Sequence, residues 1–232
     1  MQMDDELQMA RRFFGYGHWD AWYWFIGPEQ GKGPKEGADN IARLNAWIKL
    51  GKPDLCDCKE FHDAIGEMSW HREAPDKPRL QPTWRPLMLL LTTFLGKPAG
   101  RDDLRTYQRD HLGRASGGET CVIELSGLAA KGLRVPMDRE RFLNERVEII
   151  SEKMREHKPK VVVMYGQNEK NTWEEITRCE LELDRPHRAG TTLFVFTTHP
   201  NTRGRKNSDW EQLGQRLRQY GTHDFDQQAI PT

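Results

Sequence analysis

The sequence predicts an α/β fold, a three-layer sandwich with a four-stranded, mainly parallel central sheet. Four short runs rich in β-branched and aromatic residues are bounded by glycine, proline or polar turns, which is typical of strands. Stretches with helical periodicity fill the gaps between these runs, an alternation that indicates α/β architecture. The runs also lack polar alternation, as expected for parallel strands that are covered on both faces.

The predicted strands are short and widely spaced along the chain. They are residues 22–27 (WYWFIG), 121–125 (CVIEL), 160–165 (KVVVMY) and 192–198 (TLFVFTT). A chain of 232 residues can bury enough surface to form three layers. We therefore expect a single domain over residues 1–232. An irregular insertion is expected at about 51–86, where prolines mix with charged and aromatic residues.

Apolar residues that recur every three or four positions predict helices in the first half of the chain. One predicted helix spans residues 40–50, and its expected apolar face consists of Ile41, Leu44 and Ile48. A leucine-rich helix is expected at residues 87–95, directly after the insertion. Both helices precede the second predicted strand along the chain, and we expect them to cover the sheet.

Two further helices are predicted in the second half of the chain. The crossover helix is expected to start with Asp138 as its N-cap and to end before Pro159. The last helix is expected to begin at Ser208, with Glu211 completing a capping box, and to end at Gly221.

The composition excludes several classes of protein. Lys and Arg total 35 and Asp and Glu total 35, so any polyanion must be held by a local patch rather than by net charge. No apolar stretch approaches the roughly 20 residues of a membrane span. The acidic start lacks the apolar region of a signal peptide. We expect a cytoplasmic, monomeric protein that does not contact the membrane.

The cysteines do not indicate a metal centre or a disulfide framework. They are Cys56, Cys58, Cys121 and Cys179, and they follow no paired zinc-binding pattern. The single residue between Cys56 and Cys58 is also too tight a spacing for the C-x-x-C of an iron–sulfur ligand set. The sequence therefore predicts a reduced protein with no metal and no cofactor.

Two predicted strands run into loops that carry reactive side chains. Residues 22–33 (WYWFIGPEQGKG) end in a glycine-rich turn with Glu29, and residues 194–205 (FVFTTHPNTRGR) end in a basic loop with His199. The glycine spacing fits neither the P-loop nor the dinucleotide-binding motif. Because ligands of α/β sheets bind at the carboxyl ends of strands, we expect this carboxylate and this imidazole to face one small ring.

These segments resemble the motifs of the uracil-DNA glycosylase superfamily. Its first motif is a loop after a strand, G-Q-D-P-Y in one branch and G-x-N-P-G or G-E-x-P-G in others, and its last is H-P-S-P-L or a variant. Here GPEQG at residues 27–31 takes the first position and HPNTR at residues 199–203 takes the last. The resemblance covers about residues 20–220, apart from the insertion, and includes the order of the strands and the length of the chain.

The resemblance implies a monofunctional DNA glycosylase that removes uracil. In such a reaction the sugar develops positive charge and the base leaves as an anion. The resemblance gives Glu29 the role of stabilising the sugar cation and orienting the attacking water. It gives His199 the role of stabilising the departing base.

The resemblance also implies contacts to the flipped base and to DNA. The expected base-binding residues are Gly27, Gln30, Gly31, Trp84, Glu124 and Ser126. The expected DNA-binding residues are Asn201, Arg203, Arg205 and Lys206. Trp84 is assigned as the stacking aromatic, and Arg203 takes the place where relatives often carry an apolar wedge.

The expected pocket departs from the family at the residue that reads uracil. Relatives often end their second strand with an asparagine that pairs with the uracil edge, whereas this chain offers Glu124 or Ser126. A site that lacks this bidentate reader discriminates less sharply. The sequence therefore predicts a pocket that accepts several deaminated bases, such as uracil, hypoxanthine or xanthine.

Two alternative functions stay open at the level of sequence. The same fold could bind damaged or single-stranded DNA without cleaving it. It could also serve a small-molecule enzyme, since a pI of about 7.1 contrasts with the basic character of many nucleic-acid-binding domains.

Overall fold

A computed structural model describes residues 2–28, 38–73, 75–129 and 137–227 of the chain. The strands are β1 (Gly15–Tyr16), β2 (Tyr23–Gly27), β3 (Leu55–Cys56), β4 (Thr120–Glu124), β5 (Val161–Tyr165), β6 (Pro186–Ala189) and β7 (Thr192–Thr197). The helices are α1 (Gln2–Arg12), α2 (Ala38–Lys49), α3 (Cys58–Ala64), α4 (Trp84–Leu95), α5 (Arg101–Asp110), α6 (Met137–His157), α7 (Lys170–Thr177) and α8 (Asn207–Gln227).

The strands form one mixed sheet in the order β3-β1-β4-β2-β5-β7-β6. Its centre consists of β4, β2, β5 and β7, which pair in parallel. In register, Phe25 of β2 lies between Val122 of β4 and Val163 of β5. This parallel centre corresponds to the four predicted strands, and the α/β class is confirmed.

The predicted number of four strands is wrong, because the sheet has seven. The additional strands are β1, β3 and β6, which contain only two to four residues each. β1 pairs antiparallel with β4 at one side of the sheet, and β6 pairs antiparallel with β7 at the other. Strands this short have no room for an apolar run, so the strand criterion used for the sequence overlooks them.

Helices cover both faces of the sheet, and alternate strand residues divide the core in two. On one face, Phe25, Val163 and Val195 point toward α4 and α8. They form one apolar cluster with Leu90 of α4 and Leu213 of α8. The other face carries a second buried cluster shared with α6 and α7, whose members include Trp24, Ile26, Val162, Met164, Phe194, Val147, Ile150 and Trp173. Every residue of the four central strands is buried, which explains why the sequence shows no polar alternation.

Several helices differ in detail from their predictions. The predicted face of α2 is wrong, because Ile41 and Ile48 are exposed while Leu44 is buried together with Ala46 and Trp47. α8 continues past Gly221 to Gln227. Its first turn is capped by Asp209, whose carboxylate accepts a hydrogen bond from the Lys206 backbone N–H at 2.7 Å, rather than by the predicted Ser208 and Glu211 pair.

The crossover helix α6 begins at Met137, one residue before the predicted cap Asp138. Within the described residues, none of the helices combines the length and the apolar character needed to cross a bilayer.

A buried arginine joins three elements at one end of β4. Arg146 of α6 is fully buried and donates to the carbonyls of Ala10, Arg11 and Phe13, at and just after the end of α1. It also donates to the carbonyls of Glu124 and Leu125, at 2.8 Å each. Burial lowers the pKa of Arg146 to about 9, which leaves the guanidinium charged at neutral pH. This contact fixes where β4 ends.

Candidate functional site

Four central strands end at the same edge of the sheet. β2 ends at Gly27, β4 at Glu124, β5 at Tyr165 and β7 at Thr197. Because these strands are parallel neighbours, the loops that follow them emerge side by side. This is the edge at which α/β sheets bind ligands.

Tyr165 packs directly over Gly27 and reaches Glu124. A Cβ atom at Gly27 would lie 2.2 Å from the Tyr165 ring, so only glycine fits under this tyrosine. The Tyr165 hydroxyl donates to Oε1 of the buried Glu124 at 3.4 Å. Burial, with the Glu124 carboxylate beside it, raises the pKa of Tyr165 well above its usual value. The floor of the site is therefore a protonated phenol held by a buried carboxylate side chain.

His199 lies beside this tyrosine with its ring orientation fixed. Its ring meets the Tyr165 ring edge to face, with centroids 5.5 Å apart and planes at 70°. The Asn201 backbone N–H donates to Nδ1 of His199 at 3.1 Å. An amide N–H can only donate, so Nδ1 is the acceptor and a neutral ring carries its proton on Nε2. Burial lowers the pKa of His199, which favours this neutral form.

The first predicted motif is described only up to Pro28. Pro28 is buried, and Gly166, with a φ of +110°, lies against its ring. The predicted catalytic residue Glu29 and the predicted base-binding residues Gln30 and Gly31 lie outside the described residues. The structure thus brings together Gly27, Glu124 and His199 from the predicted set.

Ser126 and Trp84 already make contacts within the protein. The Ser126 hydroxyl donates to the Leu128 carbonyl at 3.0 Å and accepts from the Leu128 N–H, which closes a tight turn after β4. The Trp84 ring contacts Tyr16, His62 and His71. Both residues are buried.

The basic loop after β7 divides into anchoring and exposed residues. Arg205 donates to Thr198 and to Asp184, with which it forms an ion pair, and its guanidinium lies 4.3 Å from the Trp210 ring centroid. By contrast, Arg203 and Lys206 are exposed. Asn201 is also exposed, and its side-chain amide donates to the Thr83 hydroxyl at 3.0 Å, which ties the loop to the start of α4.

A cleft lined by arginines lies near this contact, because its lining includes Pro82, the neighbour of Thr83. It has a volume of about 510 Å³, and its lining includes Arg79, Arg85, Arg101, Arg105 and Asn207. Arg105 is paired with Asp102, whereas no ion-pair partner lies beside Arg79, Arg85 or Arg101 in the described part of the chain. Guanidinium groups offer paired N–H donors whose geometry suits phosphate and carboxylate groups.

Sequence reasoning did not identify Tyr165 or the arginine cleft. Tyr165 had one available signal, because it ends a predicted strand immediately before Gly166. The arginines come from the insertion, α4 and α5, and no spacing in the sequence links them.

Comparison with known proteins adds no family assignment. No protein-family model matches the chain, and a search of curated proteins finds no match.

Proposed function

We propose that this protein is a DNA glycosylase of the uracil-DNA glycosylase type, which hydrolyses the bond between deoxyribose and a deaminated base. The observation that carries the proposal is the fixed tautomer of His199 at the carboxyl edge of the sheet. A neutral imidazole that carries its proton on Nε2 can donate a hydrogen bond to a base that leaves as an anion and so stabilise it. The loop order and the resemblance of residues 27–31 and 199–203 to the family motifs support the same reaction.

The proposed reaction breaks the C1′–N bond, and the bonding electrons leave with the base. His199 donates a hydrogen bond from Nε2 to an oxygen of the departing base and so stabilises its negative charge. Glu29, in the role that the resemblance implies, stabilises the positive sugar and takes a proton from the attacking water. Water supplies the oxygen that ends on C1′, and the base is released after taking up a proton.

The arginine cleft supports the proposal that the reacting base is part of DNA. Arg79, Arg85 and Arg101 face a cleft that the Asn201–Thr83 contact joins to the loop of His199. We propose that this cleft and the exposed Arg203 and Lys206 hold phosphates on either side of the flipped nucleotide. Binding is then expected to weaken steeply as salt concentration rises, because each phosphate contact releases counterions.

The surroundings of β4 support a tolerant base pocket. The Ser126 hydroxyl is occupied by Leu128, and Glu124 accepts from Tyr165, so neither matches the bidentate amide that reads uracil in relatives. We therefore propose that hypoxanthine and xanthine are removed as well as uracil. A purified protein that releases uracil alone would contradict this part of the proposal.

The test uses oligonucleotides that each contain one deaminated base, followed by alkaline cleavage of the abasic sites. Strand scission is expected with the parent chain. It should fall by about 10²- to 10⁴-fold in Glu29→Gln and in His199→Ala, the range for loss of a general base or of an electrostatic stabiliser. His187→Ala, on the edge strand β6, is the matched histidine control and should retain activity.

A second measurement separates catalysis from DNA binding alone. Fluorescence anisotropy with the same oligonucleotides should show binding by Glu29→Gln but weaker binding by an Arg79, Arg85 and Arg101 triple alanine variant. If the parent binds these oligonucleotides and releases no base, the chain is a damaged-DNA-binding protein rather than a glycosylase. If it binds no DNA at all, both functions are excluded.

A further inference from the structure

Three potential metal ligands converge in the segment predicted as an irregular insertion. Cys58, His62 and His71 are all buried, and their ligand atoms lie within 4.8 Å of one another. Cys58 and His62 occupy successive turns of α3, and His71 directly follows the 3₁₀ turn Met68–Trp70. In the described part of the chain, this is the one group of three histidine, cysteine or acidic side chains that lie close enough together to hold a metal ion.

The spacing of the ligand atoms matches a tetrahedral zinc site. Cys58 Sγ lies 3.6 Å from Nδ1 of His62 and 3.7 Å from Nε2 of His71. Zinc bonds of about 2.3 Å to sulfur and 2.05 Å to nitrogen, at a tetrahedral angle, give a sulfur–nitrogen separation of about 3.6 Å. Both sulfur–nitrogen separations therefore fit, and the His62 ring must turn Nδ1 away from the Cys58 carbonyl oxygen and toward the ion.

The helix that presents Cys58 and His62 is anchored by several contacts. Asp57 caps α3 by accepting from the Lys59 and Glu60 N–H groups, and its carboxylate also binds Arg114 and the Ala115 N–H. The Cys58 N–H donates to the Gly113 carbonyl. A Cβ at Gly113 would lie 3.2 Å from Cys58 Cβ and 2.8 Å from Tyr16 Cβ, so a glycine permits this close approach.

A second buried side chain places His71. Gln108 is fully buried, and its amide donates to the Trp70 and Arg79 carbonyls at 2.8 Å each. Its oxygen accepts from the Gln81 N–H at 2.9 Å. One glutamine of α5 thus holds Trp70, Arg79 and Gln81 by hydrogen bonds and fixes the backbone beside His71.

The burial of the cluster argues against two other roles. Burial raises the pKa of the Cys58 thiol well above its usual value, so an uncomplexed thiol here is not a nucleophile. Burial also lowers the pKa of His62 to about 3 and that of His71 to about 4, so neither ring is a cation at neutral pH. Neutral imidazoles are the form that ligates metals.

We propose that Cys58, His62 and His71 bind one structural Zn²⁺, with water in the fourth position. Binding releases the thiol proton of Cys58 to solvent. The proton that His62 Nδ1 donates to the Cys58 carbonyl at 2.6 Å moves to Nε2, so that His62 ligates as a neutral imidazole. The ion would link α3 to the segment that leads into α4. Trp84 at the start of α4 packs on both histidines, and its neighbour Thr83 contacts Asn201. The metal would thereby brace the base-binding edge without taking part in chemistry.

The competing arrangement is a metal-free hydrogen-bonded triad. In it, His62 Nδ1–H donates to the Cys58 carbonyl, and the Cys58 thiol donates to His71 Nε2. The Nδ1 atom of His71 then stays buried with no partner within the described residues. The two arrangements differ in metal content and in the ionisation of Cys58, and both properties can be measured.

The experiment measures metal in the full chain, purified without a histidine tag and dialysed against a metal-free buffer. Mass spectrometry of the metals should find one zinc per chain. The zinc should be lost in Cys58→Ala and in His71→Ala and kept in Cys179→Ala, a cysteine control two residues after the end of α7. Chelation should lower the Tm of the parent and leave that of Cys58→Ala unchanged.

Cobalt substitution keeps the test decisive if a variant fails to fold. After removal of zinc, Co²⁺ added to the parent chain should give a thiolate-to-cobalt charge-transfer band and the visible bands of tetrahedral cobalt. A folded parent that contains no zinc and gives no thiolate band with cobalt would overturn the proposal. Equal zinc content in the parent and Cys58→Ala would overturn it as well.

Discussion

His199 combines a fixed tautomer with partial burial, and both features determine how its chemistry depends on pH. Its Nδ1 accepts from the Asn201 N–H, and burial lowers its pKa below the ordinary histidine value of about 6.5. Protonation would place a hydrogen on Nδ1, facing the Asn201 N–H, and break this contact. The neutral ring is therefore the form that both the fold and the proposed reaction require.

We predict that single-turnover base release stays constant as the pH falls through about 6.5 and declines only at lower pH. The effect on stability has a definite sign, because below about pH 6.5 the unfolded chain binds a proton that the folded chain does not. The parent should therefore lose stability relative to His199→Gln as the pH falls. The pH–rate profile and urea unfolding at several pH values check the two parts, and a rate that falls with an apparent pKa at or above 6.5 would contradict the prediction.

At the scale of elements, α4 and α8 pack closely because α8 carries a glycine at the crossing. A Cβ on Gly214 would lie 2.4 Å from the Leu90 carbonyl oxygen of α4. Gly221, two turns later, would bring its Cβ no closer than 3.1 Å, to the terminal methyl of Leu193. The two glycines of one helix therefore have different roles.

Replacing each glycine by alanine should separate these roles. Gly214→Ala should lower the free energy of unfolding by about 1–3 kcal/mol, because two helix backbones must move apart. Gly221→Ala should leave it unchanged or raise it by up to about 1 kcal/mol, because alanine favours the helix and only a flexible side chain must adjust. Urea denaturation checks both variants, and equal losses would show that the crossing does not depend on Gly214.

The same elements show what the sequence could and could not predict. The central strands were predictable because burial on both faces requires unbroken apolar runs, such as VVVMY at residues 161–165. Gly221 was interpreted as a helix end from local preference alone, but α8 continues through it to Gln227. In α2, Trp47 and Arg43 are buried in place of Ile41 and Ile48. Arg43 donates to the Tyr16 hydroxyl and lies over the Phe61 ring, and such contacts with other elements cannot be read from the local pattern.

The candidate site was predictable only in part, for a physical reason. His199 follows one predicted strand and Glu124 lies near the end of another, so the parallel sheet alone places them at one edge. The tautomer of His199 depends on the geometry of its loop, the cover that Tyr165 forms over Gly27 depends on the register of β5 and β2, and the cluster around Cys58 depends on how residue 71 packs on α3. Cys58 and His62 have a helical spacing, but nothing in the sequence indicates that His71 folds back onto them.

At the scale of the whole molecule, Arg146 connects the start of the chain to the sheet. Its guanidinium serves five carbonyls, three at or just after the end of α1 and two at the end of β4, and it lies 4.2 Å from the Phe14 ring centroid. These carbonyls lie where the regular hydrogen bonding of α1 and of β4 stops, so a single side chain supplies donors to the ends of both elements. Removing it would leave buried acceptors without their donor.

We predict that Arg146→Met lowers the free energy of unfolding by about 3–5 kcal/mol, the usual cost of removing one partner from a buried charged network. Arg146→Lys should recover little of this loss, because an ammonium has three donors and lacks the planar fork that reaches both ends. Arg155→Met, on the exposed side of α6, is the matched control and should change stability by less than about 0.5 kcal/mol. Urea denaturation measures all three variants.

Because the Glu124 carbonyl is one of the acceptors, Arg146→Met should also loosen the end of β4, seen as faster amide exchange at Leu125 and Ser126. A stable Arg146→Met with unchanged exchange at these amides would show that α1 and β4 are held together by their apolar contacts alone.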